Sequence, residues 1–274
     1  MYGLMWLGLL GVIIALVYIL FYIFSNSAGF LNWSFITGIE TGILPMIVTT
    51  LFVVLVSIGI ALPVGIATAI YLNEYSGYRR SNSRGNSRHA RILRLAIDTL
   101  AGIPSIIYGL FGLLVFSRMM GFGQSIIAGG FTLSIMALPV IIRATEESLK
   151  SIPSSVREAS LAVGATKFQT IRHVVLPPAL PGIITAVILA VGRMIGESAP
   201  VLLTVGLARN LPRSVFESGR TLTIHLYHLT SEAINPQDFN MAFATASVLV
   251  ILVILINTST KIITLKFRKK GFAQ

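Results

Sequence analysis

The chain has 274 residues, of which 54% are hydrophobic and 11% are charged. Soluble domains carry roughly 25% charged residues, so this composition excludes an ordinary soluble domain and indicates an integral membrane protein. The net charge of +11 is also common in nucleic-acid-binding proteins, but here the basic residues flank apolar segments, which favours contact with membrane lipid and no nucleic acid. Cysteine is absent, which excludes disulfide bonds and thiolate metal sites.

Six apolar stretches are each long enough to cross a hydrocarbon core about 30 Å thick. They are residues 4–24, 43–72, 95–116, 124–142, 179–205 and 242–265. The first lacks the basic flank of a signal peptide, so we expect a retained transmembrane helix. The second is longer than a bilayer needs and is expected to tilt, kink or protrude. The predicted fold is an all-α integral membrane protein with six transmembrane helices.

Lys and Arg residues are distributed unevenly between the segments that join these stretches. Residues 73–94 contain six, residues 143–178 contain five, and the C-terminal segment contains five, against four in the alternate segments. Because cytoplasmic loops are enriched in Lys and Arg, this distribution predicts that both termini and residues 143–178 are cytoplasmic. The expected location is the plasma (inner) membrane, with multiple passes. Residues 73–94 are rich in Ser, Asn and Gly, have little to bury and are expected to be mobile.

A polar, amphipathic segment, residues 154–181, lies between two apolar stretches. Two residue pairs in it have the spacing of a capping box: Ser155 with Glu158, and Thr166 with Gln169. Gly164 lies between the pairs, where a helix end favours a residue that tolerates left-handed dihedral angles. The pattern predicts two short helices joined by a tight glycine turn. We call this segment the helical hairpin, and its form is typical of an element that docks into another protein.

Arg193 and Glu197 lie within the fifth apolar stretch, at a spacing that places both on one helix face. An unpaired guanidinium at bilayer depth costs from about 3 to more than about 10 kcal/mol, so Arg193 is expected to face a water-filled cavity or a partner. Two roles remain open from the residues alone: an anion path, since guanidinium matches oxyanions, or a structural ion pair. Gly192 and Gly196 form a GxxxG motif and Pro200 follows, which predicts close helix packing or a bend.

Other polar residues are weaker candidates. Arg143, followed by Glu146, stands at the cytoplasmic end of the fourth stretch, where it could form an exit gate or extend to lipid headgroups. Asp98 is interpreted as a helix-start residue. His225 and His228 have no third ligand at a recognisable spacing and make a poor metal site, so no metal is expected.

Several of these motifs resemble a known family. Glu158-Ala159-Ser160 followed by Gly164-Ala165 is similar to the EAA loop of ABC-importer permeases, although Ser160 stands where that loop often has Ala. GRMIGESAP (192–200), LPVGIATAIYLNEY (62–75) and LAGIPSIIYGLFGLLVF (100–116) resemble the PstA-type permeases of phosphate-specific ABC importers. The resemblance covers about residues 43–265 and implies a type I ABC importer permease fold with a cytoplasmic coupling helix.

The resemblance also implies function and partners. It implies alternating-access import of inorganic phosphate with a PstC-type permease, two PstB-type ATPases and an external PstS-type phosphate-binding protein. The implied substrate-path residues are Arg193, Glu197 and Arg143. The implied ATPase-coupling residues are Glu158, Ala159, Gly164, Ala165, Thr166 and Lys167. The chain has no GxxxxGK[ST] loop, so no catalytic residue and no bound cofactor are expected, and the partner ATPase uses ATP and Mg.

Three domains and three alternatives complete the sequence-based interpretation. Residues 1–42 are predicted to form the first helix and an external loop, residues 43–266 the permease core with the coupling loop at about 150–178, and residues 267–274 a basic tail. One alternative is a permease for phosphonate, molybdate or sulfate. The second is an ion-coupled secondary carrier, and the third is a membrane scaffold or sensor.

Overall fold

The structure, a computed structural model, describes residues 2–76, 88–233 and 235–271, and in this part of the chain all regular structure is helical. Half of the arginine-rich segment predicted to be mobile, residues 77–87, lies outside the described residues. The helices are α1 (Tyr2–Ser27), α2 (Trp33–Thr37), α3 (Leu44–Ile70), α4 (Arg88–Gly102), α5 (Ser105–Gly112), α6 (Ile126–Lys150), α7 (Ser154–Ala162), α8 (Lys167–Gln169), α9 (Leu176–Gly196), α10 (Ala199–Thr204), α11 (Leu222–Ser231) and α12 (Pro236–Gly271). Wider π-helical turns extend α3 over Tyr71–Tyr75 and α5 over Leu113–Met119, and join α8 to α9 over Thr170–Val175.

Five of the described helical segments are long and apolar enough to cross a membrane, and a sixth span results if a bent pair is counted as one. The five are Met5–Ser27, Leu44–Tyr75, Ile126–Lys150, Lys167–Gly196 and Gln237–Ser259. The sixth is the pair Arg88–Gly102 and Ser105–Met119, bent by 104°. These spans confirm the predicted all-α membrane fold.

The third predicted stretch is broken where a single helix was expected. Pro104 has no backbone N–H and disfavours helical dihedral angles at the residue before it, so α4 ends at Gly102 and α5 begins at Ser105. The helix also starts earlier than expected, at Arg88, within the segment interpreted as a loop. Asp98 therefore lies in the last two turns of α4, and its interpretation as a helix-start residue is wrong.

The core forms where α6 packs against α3 and α9. Of the five spans α6 is the most buried, and its residues Leu133, Met136 and Ala137 pack with Val53 of α3 and Met194 of α9. Small residues bring these helices close together, as is usual between membrane helices, where there is little hydrophobic driving force. By contrast α1 is peripheral, and within its span only the last residue, Ser27, is buried.

Gly130 of α6 is expected to be intolerant of side chains, because a Cβ there would overlap the side chain of Val56 on α3. We expect Gly130→Val to destabilise the fold by about 1–3 kcal/mol through overpacking. The measurement is the thermal unfolding temperature of the purified chain. Gly59→Val is the matched control, since a Cβ at Gly59 meets nothing within 4 Å. Equal unfolding temperatures for the two variants would contradict this packing.

The two ends of the bundle carry different elements. At one end, which we call the hairpin end, the helical hairpin follows α6 and leads into α9. At the other end, which we call the loop end, the chain between α10 and α12 folds back onto the bundle through α11. Its contact with the core is direct, since the Leu222 backbone N–H donates to Thr50 Oγ1 of α3 at 3.0 Å.

Candidate functional site

The helical hairpin has the predicted helix–turn–helix form. Thr166 and Gln169 form the expected capping box: Thr166 Oγ1 accepts from the Gln169 N–H at 3.3 Å and Gln169 Oε1 accepts from the Thr166 N–H at 2.8 Å. Gly164 has φ of +89°, the left-handed region that favours glycine. The capping box predicted at Ser155 is wrong, because α7 begins one residue earlier, directly after Pro153, so Ser155 lies inside the helix.

The outer surface of the hairpin is exposed and partly apolar. Of the six residues predicted to couple to an ATPase, Ala165 is half-buried and the other five are exposed: Glu158, Ala159, Gly164, Thr166 and Lys167. Beside them lie four exposed apolar side chains: Val156, Leu161, Val163 and Phe168. Since contiguous exposed apolar residues with a polar rim are typical of protein contacts, this surface is suited to binding a partner protein.

Arg157 anchors the hairpin to the bundle, a role that the sequence analysis missed. Its side chain is 9% exposed, and its Nη2 and Nε donate to the Glu74 carboxylate at 2.9 and 3.0 Å. Nη1 also donates to the Ile152 carbonyl at 2.7 Å, and Nη2 to the Leu149 carbonyl at 2.8 Å. One guanidinium therefore joins α7 to the ends of both α3 and α6. The available signal was Glu74, an isolated acidic residue at the end of an apolar stretch.

The second short helix is attached to the same place. The Lys167 ammonium lies 4.5 Å from the centroid of the Tyr75 ring, a cation–π contact. Tyr75 and Glu74 are neighbours in the π-helical turn that ends α3. Both arms of the hairpin therefore contact the turn that ends α3.

Arg143 does not pair with Glu146, the carboxylate that follows it in sequence. Its Nη2 donates to Asp98 of α4 at 2.6 Å, and both side chains are exposed by half or more. Glu146 instead accepts from Arg94 at 3.1 Å. These two ion pairs hold α4 against the hairpin end of α6, so the structure places Arg143 on an exposed surface.

Arg193 and Glu197 lie where α9 ends. α9 stops at Gly196, and Glu197 is extended with ψ of 131°, so the expectation that both residues share one continuous helix face is wrong. The pair nevertheless forms, with Arg193 Nε donating to Glu197 Oε1 at 3.4 Å. The Glu197 carbonyl accepts from Thr223 Oγ1 of α11 at 3.0 Å, which helps to hold the break open.

The Arg193 guanidinium extends from the last turn of α9 and keeps free donors. Its neighbour Met194 packs in the central cluster with Met136 and Ala137. Yet the Arg193 side chain is 54% exposed, against 17% for Glu197. Within the described residues only Nε of Arg193 donates a hydrogen bond, and that bond is long, so the fork of Nη1 and Nη2 is available to another partner.

The small residues around this break have different surroundings. A Cβ at Gly192 would lie 3.4 Å from Asn257 Oδ1, so Gly192 lies where α9 approaches α12. A Cβ at Gly196 would meet nothing within 4 Å. Pro200 is buried at the start of α10, against Gly109 of α5. Gly192 and Pro200 therefore serve packing within the chain, and Gly196 lies on the exposed surface with Arg193.

The loop end carries a small polar cavity of about 210 Å³ beside α11. His225, which lines it, is only 4% exposed, and burial, with lesser contributions from Arg209, Arg220 and His228, lowers the pKa of His225 to about 3. His225 is therefore neutral at pH 7. His228 lies nearer the surface, with Nδ1 2.9 Å from Glu232 Oε1.

The neutral state of His225 gives a testable pH dependence. Its pKa is about 3 in the folded chain and about 6.5 when unfolded, so between these values the unfolded chain binds more protons. The free energy of unfolding is therefore highest above pH 6.5 and falls on acidification, by up to about 1.4 kcal/mol per pH unit. We expect His225→Gln to reduce the decrease in unfolding temperature between pH 7 and 5. An unchanged slope in His225→Gln would exclude this contribution.

Comparison with known proteins identifies the family to which this chain is similar. Residues 61–270 match the model of the family described as binding-protein-dependent transport system inner membrane component. A probable ABC transporter permease of Bacillus subtilis, YqgI, is 32% identical over 93% of this chain and 91% of its own length. The phosphate transport system permease protein PstA 1 of Mycobacterium tuberculosis is 37% identical over 74% of this chain, which spans 64% of that protein.

The fold has solved counterparts. A chain of the MetNI methionine ABC transporter, solved in inward-facing conformations, matches with a TM-score of 0.64 and 25% identity over 86% of this chain and 96% of its own. The six-span helical architecture with a helical hairpin at one end is thus that of type I ABC importer permeases. The chain belongs to the family of binding-protein-dependent transport system inner membrane components.

Proposed function

We propose that this chain is a permease subunit that moves inorganic phosphate into the cytoplasm as part of an ATP-driven importer. The observation that carries this proposal is Arg193, a half-exposed guanidinium in the last turn of the membrane-spanning helix α9, with two donor nitrogens free within the described residues. A phosphate ion presents oxygens that such a fork binds bidentately. The 37% identity to a phosphate transport permease supports phosphate over other oxyanions.

The exposure of Arg193 supports a path shared with a second chain. A guanidinium left facing lipid on a membrane-spanning helix is costly, so its exposed side must meet water or a partner once the complex is assembled. We infer that a PstC-type permease supplies the other wall of the path, and that Glu197 weakens the hold of Arg193 on the anion so that it is released. Arg143, at the exposed hairpin end of α6, then lies on the exit side.

The helical hairpin would couple this path to ATP hydrolysis. Its exposed apolar and polar surface fits a cleft of a PstB-type ATPase, two copies of which would use ATP and Mg, whereas this chain binds no cofactor and hydrolyses no ATP. Closure of the ATPases would pull the hairpin, and Arg157 and Lys167 would transmit that movement to α3. The hairpin end is then cytoplasmic, as are both termini, and the loop end faces a PstS-type phosphate-binding protein.

A competition experiment tests the cargo. Cells that lack the native subunit and express this chain should take up radiolabelled phosphate, and excess unlabelled phosphate should suppress that uptake more strongly than phosphonate, molybdate or sulfate at equal concentration. Stronger suppression by another oxyanion would reassign the substrate. Uptake that survives ATP depletion and collapses with an uncoupler would instead indicate an ion-coupled carrier. Unchanged uptake on deletion of the chain would indicate a scaffold or sensor.

A further inference from the structure

The polar cavity at the loop end concentrates positive and proton-donating groups. Four nitrogen-bearing side chains line it: Arg209, Arg220, His225 and His228. The two carboxylates at its edge are already engaged, because Glu232 pairs with His228 at 2.9 Å and Asp238 accepts from the Asn235 N–H at 3.1 Å. With His225 neutral at pH 7, the two arginines and the two carboxylates of the lining balance, but both carboxylates already have other hydrogen-bond partners.

Arg220 is the most constrained of these groups. It is 7% exposed, and its Nε donates to the Leu207 carbonyl at 3.0 Å. Its Nη1 is buried and has no hydrogen-bond partner among the described residues. Buried arginines are normally paired, because an unsatisfied charged donor costs free energy. Burial lowers the pKa of Arg220 and the nearby Arg209 adds to this effect, while Glu232 opposes it without cancelling it.

His225 repeats this pattern from the neighbouring helix. It is 4% exposed, and its Nδ1 is likewise buried with no hydrogen-bond partner in the described part of the chain. Two buried, unsatisfied groups from different segments therefore border the same cavity of about 210 Å³. That volume well exceeds the roughly 30 Å³ that one water molecule occupies in the liquid, so a small anion fits.

Arg209 connects the cavity to the outside. It is exposed and lines both this cavity and an adjoining open depression of about 770 Å³, whose wall also includes Arg213, Glu40 and Glu217. An anion that enters the depression thus meets Arg209 first and Arg220 behind it. Since charged clefts raise the local concentration of opposite charge, this order favours entry of anions.

We propose that this cavity is a second oxyanion site, which binds a small tetrahedral anion of the phosphate class through Arg209, Arg220 and His225 before the anion reaches Arg193. That the anion is phosphate, and that it moves on to Arg193, rests on the proposed function. The preference of the cavity for an anion rests only on the side chains that line it. The site is linked to the central pair through α11, because Thr223, two residues before His225, donates to the Glu197 carbonyl.

The test uses the assembled permease–ATPase complex in nanodiscs, with Arg193→Gln as the background so that the central site does not contribute. Radiolabelled inorganic phosphate should still bind this complex without the external binding protein. Adding Arg220→Gln or Arg209→Gln should weaken binding by about tenfold or more, since each removes a charge-assisted hydrogen bond. Arg213→Gln, which removes the same charge from the adjoining depression only, should change binding less than about twofold.

Several outcomes would overturn the proposal. One is equal binding by the Arg209, Arg220 and Arg213 variants, and another is loss of binding in Arg193→Gln alone. Arg209→Gln guards against misfolding, because Arg209 is exposed whereas Arg220 is buried. Suppression of phosphate binding by nanodiscs of anionic lipid would make the cavity a headgroup site and reject the free anion. Preference for sulfate would keep the oxyanion site but reject phosphate as cargo, a separate failure of the proposed function.

Discussion

Phosphate uptake should fall by about a hundredfold or more when Arg193 is replaced by glutamine. The guanidinium lies in the last turn of the membrane-spanning helix α9, is half-exposed and holds Glu197 by one long bond, so it has donor nitrogens to give to an anion. Glutamine keeps much of the length of the side chain but carries no charge, and loss of a charged contact in a weakly hydrated path costs about 2–5 kcal/mol. The measurement is radiolabelled phosphate uptake in cells that lack the native subunit.

Whether the Arg193→Gln variant still assembles with the ATPase distinguishes a transport role of Arg193 from a structural one. A pull-down with the ATPase should recover Arg193→Gln at the level of the unmodified chain, because the side chain makes only this weak contact within the described residues. Arg118→Gln is the matched control, since Arg118 is exposed and lies outside the proposed path. Unchanged uptake in Arg193→Gln would make the Arg193–Glu197 pair a structural lock. The anion site would then have to be sought in the partner permease.

Replacing Arg157 by glutamine should uncouple ATP hydrolysis from uptake. Breaking a buried ion pair by removing one partner costs about 3–5 kcal/mol, and here it leaves the Glu74 carboxylate, 8% exposed, without its cation. The hairpin then loses its attachment to α3 and to the carbonyls at the end of α6. We expect ATP-dependent phosphate uptake to decrease by at least about tenfold. The amount of ATPase recovered in pull-downs should decrease as well.

Two further variants make this prediction specific. Arg172→Gln removes an exposed charge within the same hairpin and should leave uptake nearly unchanged. Glu74→Gln in the Arg157→Gln background removes the unpaired carboxylate, so the double variant should be less impaired than the sum of the single ones. Additive effects, or normal uptake in Arg157→Gln, would show that Arg157 does not hold the hairpin.

Local signals in the sequence predicted the elements that depend on neighbouring residues. The Thr166–Gln169 capping box and the left-handed Gly164 are set by contacts within a few residues, and the structure confirms both. The long apolar stretches likewise required only length and composition, and five of the six correspond to single helices long enough to span a membrane. The break before α10 could be anticipated from Pro200, because a proline has no backbone N–H to donate and disrupts the helical turn before it.

Contacts between distant residues could not be predicted from one sequence. Arg157 and Glu74 are 83 residues apart, and Arg143 meets Asp98 across 45 residues, in preference to Glu146 three residues away. Such pairs depend on how helices cross, which periodicity does not specify. The cavity around Arg220 and His225 was missed for a related reason, because burial of a polar loop residue depends on how α11 folds back onto α3.

Reconstitution tests the central claim most directly. The chain would be incorporated into proteoliposomes with its partner permease, the ATPase and the external binding protein, and phosphate accumulation would be followed with and without ATP. We expect accumulation only when ATP and all three partners are present, and no ATP hydrolysis by this chain alone. Hydrolysis by the isolated chain, or phosphate accumulation without ATP, would contradict it.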